Sequence, residues 1–491
     1  MLKCLFPKIS THRTEVESMM VIIKTFTTPG GKYVYDRETN SLLSVSDEEY
    51  VACKRVEMDI ADDNDWHLLK RYTDQGYLQE SCLKEIEHPA TPYMSMYLEN
   101  HVAYMTLQIV QSCNLRCSYC FYGGNYIQRS HSHKTMSLET IKSSIDFAMK
   151  HSRSVNELVL GFYGGEPLLA IDNIKKCVEY INNAYAGKQV RYTITTNGTL
   201  INSQIVQFLE KHNFDVFISL DGPKELHNAN RVFADGKGSF DKIMSNVSFI
   251  RDNFPVYYKK VGFITTVAPN IELSCINNFY AAETVLAENN AMVNTINFFS
   301  TNESVIYDDM YYCTYNYETM KLLLSHIGMY SHSKTSKIYE RFILDLEKFW
   351  KLLSGSTLTN KSHPGGPCLP GVSRPFIAVD GTIYPCERVS ESTEAMKIGH
   401  VNTGFDLKKI LAILNVGKLT ESACKICWNF HGCGLCAAAC DKDGTLSRDE
   451  RLKNCRIAKQ ITIEKLLCIC LLTENGYDFM TRTTIRKVGF K

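Results

Sequence analysis

Gln111-Ser112-Cys113-Asn114-Leu115-Arg116-Cys117-Ser118-Tyr119-Cys120-Phe121-Tyr122 is the stretch that decides the fold of this chain. Its cysteines are spaced CxxxCxxC. Three thiolates on one short loop can hold three corners of a [4Fe–4S] cluster. The fourth iron then has no protein ligand and is open to another group. Zinc is the competing reading, but zinc loops usually run CxxC and come in pairs.

Outward from this loop, strand and helix signals alternate to about Ser300. Strands are predicted at Tyr104–Val110, Leu158–Tyr163, Arg191–Thr196, Asp215–Leu220, Val261–Val267 and Thr295–Phe299. Amphipathic stretches at Leu138–His151, Ile174–Ala184, Ser203–His212 and Asp241–Arg251 lie between them. Such alternation predicts an α/β fold, a parallel sheet with helices outside it. Six units make an incomplete TIM-like barrel, a partial (β/α)6, with its functional groups at the C-terminal strand ends. The cysteine loop follows the first strand. Gly164-Gly165-Glu166-Pro167 follows the second, where glycines allow close backbone approach and Glu166 adds an acceptor. Thr195-Thr196-Asn197-Gly198 ends the third strand, and Ser219-Leu220-Asp221-Gly222-Pro223 ends the fourth.

Together these segments resemble the radical SAM superfamily. The resemblance implies that the open iron chelates the amino and carboxylate groups of S-adenosylmethionine. It implies cofactor contacts for Tyr119 and for the Gly164, Gly165, Glu166 and Pro167 motif, whose backbone and carboxylate meet the amino group. Thr195, Asn197, Ser219 and Asp221 then line the pocket for the ribose and carboxylate. Arg231, in His227-Asn228-Ala229-Asn230-Arg231, pairs with the cofactor carboxylate, a task suited to a guanidinium fork. Val267 meets the adenine through its backbone. The implied chemistry is one-electron cleavage of a sulfonium C–S bond, followed by hydrogen abstraction from substrate by the 5′-deoxyadenosyl radical. The cofactor carries that chemistry; the protein positions substrate and excludes solvent.

The C-terminal part holds a second field of cysteines: Cys368, Cys386, Cys424, Cys427, Cys433, Cys436, Cys440 and Cys455. Cys386 closes a Gly-x4-Cys ending, Gly381 to Cys386, and Cys424, Cys427 and Cys433 run CxxC-x5-C. This resembles the SPASM extension, whose cysteines hold two auxiliary [4Fe–4S] clusters. By that resemblance Cys424, Cys427, Cys433 and Cys455 hold an outer cluster, and Cys368, Cys386 and Cys436 an inner one. The family pattern departs at position 437, which is Ala. Cys436 lies one residue early, and Cys440 is either a fourth inner ligand or a bystander. A zinc ribbon on Cys424, Cys427, Cys433 and Cys436 is the alternative.

The chain has 491 residues, 19 cysteines and a net charge of +1. Near-neutral charge points to no nucleic-acid or membrane-surface partner. No apolar run reaches transmembrane length, and Met1 to Glu17 do not read as a secretory signal. Met19 or Met20 is an alternative start. A cytoplasmic location is expected, where clustered cysteines imply metal rather than disulfides. Cys4, Cys53, Cys82, Cys177, Cys275, Cys313, Cys468 and Cys470 are scattered and read as small buried hydrophobes.

Before the barrel, Ile22–Thr27, Lys32–Asp36 and Leu42–Val45 read as short strands around a Pro29-Gly30-Gly31 turn. Ser46-Asp47-Glu48-Glu49 opens a helix with N-cap chemistry, and a second helix is predicted from Asp63 to Tyr77, ending near Gly76. Three strands followed by helices is the order of a winged-helix unit. It resembles the recognition domain of peptide-maturing radical SAM enzymes, which adds a leader peptide as an extra strand. His88-Pro89-Ala90-Thr91-Pro92 reads as a linker. The predicted division is a tail at 1–20, the winged-helix-like domain at 21–90, the barrel at 100–335, a bridging helix or linker at 336–362, the SPASM domain at 363–470 and a tail at 471–491.

The same resemblance extends to maturases of sactipeptides and ranthipeptides. It implies thioether formation in a ribosomal, Cys-rich precursor peptide, with three [4Fe–4S] clusters, S-adenosylmethionine and a flavodoxin- or ferredoxin-type electron donor. Glu387 follows Cys386, where anaerobic sulfatase-maturating enzymes carry an Asp general base. It is therefore the catalytic candidate, and formylglycine generation is the alternative function. A non-catalytic iron–sulfur scaffold for binding or electron transfer is a second alternative.

Overall fold

The strand before the cysteine triplet lies inside a ten-stranded sheet. The computed structural model describes residues 20–123, 129, 131–269, 271–286, 289, 291–295, 306–335, 340–353, 357–365 and 368–479. The N-terminal unit contains β1 (Ile23–Thr27), β2 (Lys32–Asp36) and β3 (Ser41–Val45), followed by a short β4 (Glu85–Ile86). The barrel strands are β5 (Tyr104–Val110), β6 (Glu157–Gly164), β7 (Gln189–Thr196), β8 (Asp215–Ser219), β9 (Val261–Val267) and β10 (Ala291–Thr295). They lie side by side in sequence order and every pairing is parallel. Helices Leu138–His151, Ile171–Ala184, Ser203–Lys211 and Phe240–Asn253 separate them. Ser137 and Asn202 cap two of these helices by accepting from the third backbone N–H. Strand β5 is buried at six of its seven residues, as a parallel strand covered on both faces requires.

On its other side β5 pairs in parallel with β12 (Phe376–Ile377), after a short β11 (Lys361–Ser362). An antiparallel meander of β13 (Thr382–Tyr384), β14 (Gly399–His400) and β15 (Gly404–Phe405) completes the sheet. The cysteine-rich segment is thereby welded to the barrel's first strand.

Four expectations need correction. The sixth barrel strand starts at Ala291, four residues before Thr295, and 296–300 lie outside the described residues. The apolar Ile296, Phe298 and Phe299 drew the reading downstream. The helix expected from Asp63 to Tyr77 is two pieces, Asp63–Leu68 and Lys70–Thr73, broken at Leu69, which is completely buried. The expected linker from His88 to Pro92 is tied down: the backbone N–H of His88 donates to Asn415 Oδ1 at 2.8 Å, and a 3-10 turn begins at Thr91. Finally, the C-terminal helix runs Cys455–Glu474, and Tyr477 and Phe479 are buried beyond it, Phe479 stacked on Trp350. Residues 1–19, with the alternative start, lie outside the described residues.

The N-terminal sheet is antiparallel in the order β1-β2-β3. Ser46 and Glu49 form the expected capping box of helix Asp47–Glu57. One face of the sheet, with Ile23, Val34 and Val45, packs on that helix. The other, with Phe26 and Tyr35, packs on Leu322, Leu346, Leu466 and Ile469. Glu474 accepts hydrogen bonds from Thr28 and Tyr33, pinning the first hairpin to the C-terminal helix.

Candidate active site

Cys113, Cys117 and Cys120 occupy the loop that leaves the C-terminal end of β5. The loop is tied across the barrel mouth by Arg116 N to Val232 O at 2.8 Å and Ser118 N to Asn230 O at 3.0 Å. Donors already aim at the sulfurs: Leu115 N at 3.4 Å and Asn197 Nδ2 at 3.8 Å from Cys113 Sγ, Tyr122 N at 3.3 Å from Cys120 Sγ, and Arg231 Nη1 at 3.9 Å from Cys117 Sγ. Burial pushes the Cys113 thiol up to about 12 and that of Cys117 to about 11. As bare thiols they stay protonated at neutral pH; iron binding releases those protons. Soft thiolates with N–H donors turned toward their sulfurs fit an iron–sulfur cluster. Among the described residues no three His, Cys, Asp or Glu side chains converge as they would on one metal ion. A cubane needs no such convergence, because each thiolate bonds a different iron.

The Gly-Gly-Glu-Pro motif leaves β6 directly against this loop. Gly165 N donates to Val110 O at 2.8 Å, and Glu166 N to Ser112 O at 2.9 Å. Gly164 has φ +140°, and a Cβ there would meet Val110 O at 2.0 Å; a Cβ on Gly165 would meet Ser112 O at 2.1 Å. Only glycine fits both positions. Glu166 is buried, and its carboxylate accepts from Thr196 Oγ1 at 2.7 Å, Asn197 N at 2.7 Å and Leu168 N at 3.0 Å. It ties the ends of β6 and β7 together; burial raises its pKa in spite of those bonds. Pro167 opens a single 3-10 turn. Asn197 Nδ2 also donates to Asn114 Oδ1 at 2.8 Å, linking β7 to the cysteine loop. Thr195 is half-buried and Ser219 buried at their strand ends.

Asp221 is the hub of the next strand end. Its carboxylate accepts from Thr266 N at 2.9 Å, from Tyr119 and from Arg231 Nε at 2.9 Å. The Arg231 guanidinium stands 5.3 Å from the Tyr119 ring centre. The family resemblance implies that Arg231 pairs with a cofactor carboxylate; in the structure its Nε is engaged by Asp221, and its Nη1 lies 3.9 Å from the Cys117 sulfur. Val267, fully buried, gives its carbonyl to the Tyr307 hydroxyl at 3.3 Å.

In the second cysteine field burial raises the pKa of Cys368, Cys386, Cys427, Cys433, Cys440 and Cys455, and neighbouring cysteines raise it further: Cys436 at Cys368, Cys368 at Cys386, Cys424 at Cys427, Cys433 and Cys455, and both Cys436 and Cys433 at Cys440. Cys440 is fully buried, with its Sγ 3.5 Å from Cys436 O and 3.8 Å from Arg451 Nη1. Arg451, itself buried, donates to Leu435 O at 3.0 Å and Thr420 Oγ1 at 3.1 Å. The field offers soft thiol donors suited to clusters. Glu387, beside Cys386, is paired with Arg374 at 2.8 Å and lies 3.8 Å from Arg388.

Sequence reasoning missed two parts of this site. Arg129, Glu391, Gln108 and Tyr122 form one buried network at the barrel mouth. Tyr35 and Arg37 of the N-terminal sheet meet the outer group: Tyr35 stands edge-on to Trp428, and Arg37 Nη1 donates to Lys425 O at 2.5 Å. Their members lie hundreds of positions apart, so no local motif announces them.

Residues 107–280 match the Radical SAM superfamily, so the chain carries a radical SAM domain. It is 37% identical over 163 residues to a cysteine-type anaerobic sulfatase-maturating enzyme of Clostridium novyi, covering 32% of this chain and 42% of that enzyme. The chain thus spans less than half the length of this curated relative. It is 22% identical over 406 residues to the radical SAM cyclopropyl synthase TigE of Paramaledivibacter caminithermalis, covering 76% of this chain and 77% of that one. Among solved structures, native anSMEcpe with bound AdoMet superposes with a TM-score of 0.55 at 19% identity. It covers 75% of this chain and 99% of that one, so the two share a fold and a quarter of this chain lies outside the match. No described helix is long and apolar enough to cross a membrane.

Proposed function

We propose that this chain is a radical S-adenosylmethionine enzyme that modifies a ribosomally made, Cys-rich precursor peptide, joining a cysteine sulfur to a carbon of another residue. The observation that carries the reading is the tie between the Cys113, Cys117 and Cys120 loop and the Glu166 clamp at the C-terminal ends of β5, β6 and β7, with the β12–β13 hairpin paired alongside β5. Cys113, Cys117 and Cys120 would hold a [4Fe–4S] cluster, which when bound would supply the one-electron reduction of S-adenosylmethionine. Asn197 and Arg231 hold the thiolate side of that site, and Tyr119 and Asp221 close its wall. Thioether formation releases one hydrogen atom, one electron and one proton from substrate. Cys368, before β12, Cys386, just after β13, and Cys436 would hold an inner cluster suited to receive the electron, and Glu387, beside Cys386, is the carboxylate that can take a proton. The leader is read by the outer edge of β3 and the start of the next helix, Leu42 to Tyr50. Reducing power comes from a flavodoxin- or ferredoxin-type donor.

Formylglycine generation is the second reading, favoured by the sulfatase-maturating relative. The test is anaerobic reconstitution, expected to give about twelve iron and twelve sulfide per chain, then reaction with two peptides. One is a Cys-rich peptide encoded beside the gene; the other is a sulfatase-derived peptide. Loss of two hydrogens from the first supports thioether formation. Exchange of a thiol for an aldehyde in the second supports formylglycine. If replacing Cys113, Cys117 and Cys120 by Ala leaves S-adenosylmethionine cleavage intact, both readings fail.

A further inference from the structure

His227 is completely buried, and both of its ring nitrogens are engaged. It sits in the helix Lys224–Asn230, between Asp221 and Arg231 in the chain. Asp221 N donates to its Nδ1 at 3.3 Å. A neutral imidazole that accepts at Nδ1 carries its proton on Nε2. Burial pushes the pKa of His227 down to about 4, which keeps the ring neutral. Its Nε2 therefore donates to Ser239 Oγ, at 2.9 Å. Ser239 is also completely buried, and its hydroxyl donates in turn to Arg231 O at 2.9 Å. The three bonds run in one direction, from the main chain of Asp221 through a ring and a hydroxyl to the main chain of Arg231.

Asp221 and Arg231 are already joined through their side chains, where Arg231 Nε donates to the Asp221 carboxylate at 2.9 Å. The relay joins them again through their main chains. The first cysteine loop hangs on its far end. Arg231 O lies between two carbonyls that hold that loop: Asn230 O accepts from Ser118 N at 3.0 Å, and Val232 O accepts from Arg116 N at 2.8 Å. Ala234 N adds a third tie, to Asn114 O at 3.3 Å. At the near end, Asp221 is fixed to β9 through Thr266 N. Residues 230–232 thus connect the loop to the barrel wall, and His227 and Ser239 set how far they stand from the strand end. The same residues carry the Arg231 guanidinium, whose Nη1 lies 3.9 Å from Cys117 Sγ. Packing alone does not call for this polar chain: an apolar ring in place of His227 could still meet Phe240, whose ring centre is 5.7 Å away, but would leave buried polar atoms unpaired at both ends.

We propose that His227 and Ser239 are positioning residues for the first cysteine site, a neutral strut that fixes Arg231 and the Cys113, Cys117 and Cys120 loop at a set distance from the Asp221 strand end. This rests on the reading of that loop as the cluster and S-adenosylmethionine site, and adds what holds its geometry. Hydrogen bonds and charge near a cluster's sulfurs tune its potential. The strut therefore sets the reducing power of the first cluster through the Arg231 N–H beside Cys117. It acts through Arg231 and touches no substrate.

The test uses the anaerobically reconstituted full chain as wild type, His227→Asn, Ser239→Ala and the double variant. Asn keeps an acceptor for Asp221 N but falls short of Ser239, and Ala removes only the hydroxyl. Iron content confirms that each form is loaded. S-adenosylmethionine affinity is read by equilibrium dialysis. The potential of the first cluster is read by EPR-monitored titration, its signal being the one absent when Cys113, Cys117 and Cys120 are replaced by Ala. Each single variant should weaken S-adenosylmethionine binding about tenfold, as loss of a buried hydrogen bond does. Each should also shift the potential to more negative values, because the Arg231 donor and its charge withdraw from Cys117. Links in series fail together, so the double variant should lose no more than either single one. A loss near the product of the two, about a hundredfold, means independent packing effects and overturns the strut. Unchanged affinity and potential in Ser239→Ala, the smaller change, overturn it as well, whether or not His227→Asn folds. A wild type that holds the cluster and fails to bind S-adenosylmethionine sinks the proposed function, while the potentials of the variants still decide the strut.

Discussion

Asp221 and Arg231 are both buried, and each satisfies the other. Removing one partner from such a pair leaves an uncompensated charge, which costs about 3–5 kcal/mol. Asp221→Asn should therefore lower the free energy of unfolding by an amount of that order, read from urea titrations followed by circular dichroism. A change indistinguishable from that of an exposed pair such as Lys237–Asp235 would mean that the Arg231 fork relaxes onto another acceptor. Both residues stand out in the sequence within recognisable strand-end segments. Their mutual pairing does not, because an ion pair bridging residues on two loops depends on how the strand ends splay. Arg129 is less legible still: its partners Glu391 and Phe376 come from within the cysteine-rich segment, far along the chain.

At the scale of elements, the cysteine loop and the glycine motif act as one unit through backbone contact. A methyl group on Gly165 would have to displace Ser112 O, and with it the start of the loop. Gly165→Ala should reduce S-adenosylmethionine cleavage at least tenfold and lower the iron held by the triplet, while the auxiliary sites keep about eight iron per chain. Retained full iron and cleavage would show that the loop shifts without cost. The split between Cys436 and Cys440 belongs here as well. Cys436 is partly exposed, whereas Cys440 is completely buried, with Arg451 Nη1 3.8 Å from its sulfur. Cys436→Ala is expected to lose the inner cluster's iron, about four per chain, and Cys440→Ala to keep the full count. Equal loss in both variants, by iron assay and Mössbauer spectroscopy, would make both ligands. The element boundaries were largely legible: β5 and β9 fall where period and composition put them. The break at Leu69 was not, because burial of one side chain overrode a continuous helical pattern.

At the scale of the whole molecule, the N-terminal domain is part of the wall around the outer cysteine group. Arg37 is completely buried, donates to Lys425 O inside the Cys424–Cys427 turn and lies over Phe430, while its carbonyl accepts from His431 Nε2 at 3.0 Å. The Ile86 N–H donates to Glu421 Oε1 at 3.1 Å. Deleting residues 1–90 removes all of this. The truncated enzyme is expected to lose the outer cluster, about four iron per chain, as well as affinity for full-length precursor. S-adenosylmethionine cleavage should survive, because the first cysteine loop takes its contacts from the barrel. A truncated enzyme with full iron content would return the domain to the status of a detachable module.

The sequence by itself determined the cysteine loop, the glycine motif beside it, the alternation that makes a parallel sheet and the second cysteine field, because each is written in short-range spacing. The tertiary structure alone decided which buried charges meet. It paired Arg231 with Asp221 and Arg129 with Glu391, and set Tyr35 and Arg37 against Trp428 and the Lys425 carbonyl in the Cys424–Cys433 run. Those contacts join residues far apart in the chain, and their partners are chosen by packing and by the need to satisfy every buried polar group, neither of which leaves a periodic trace in the sequence.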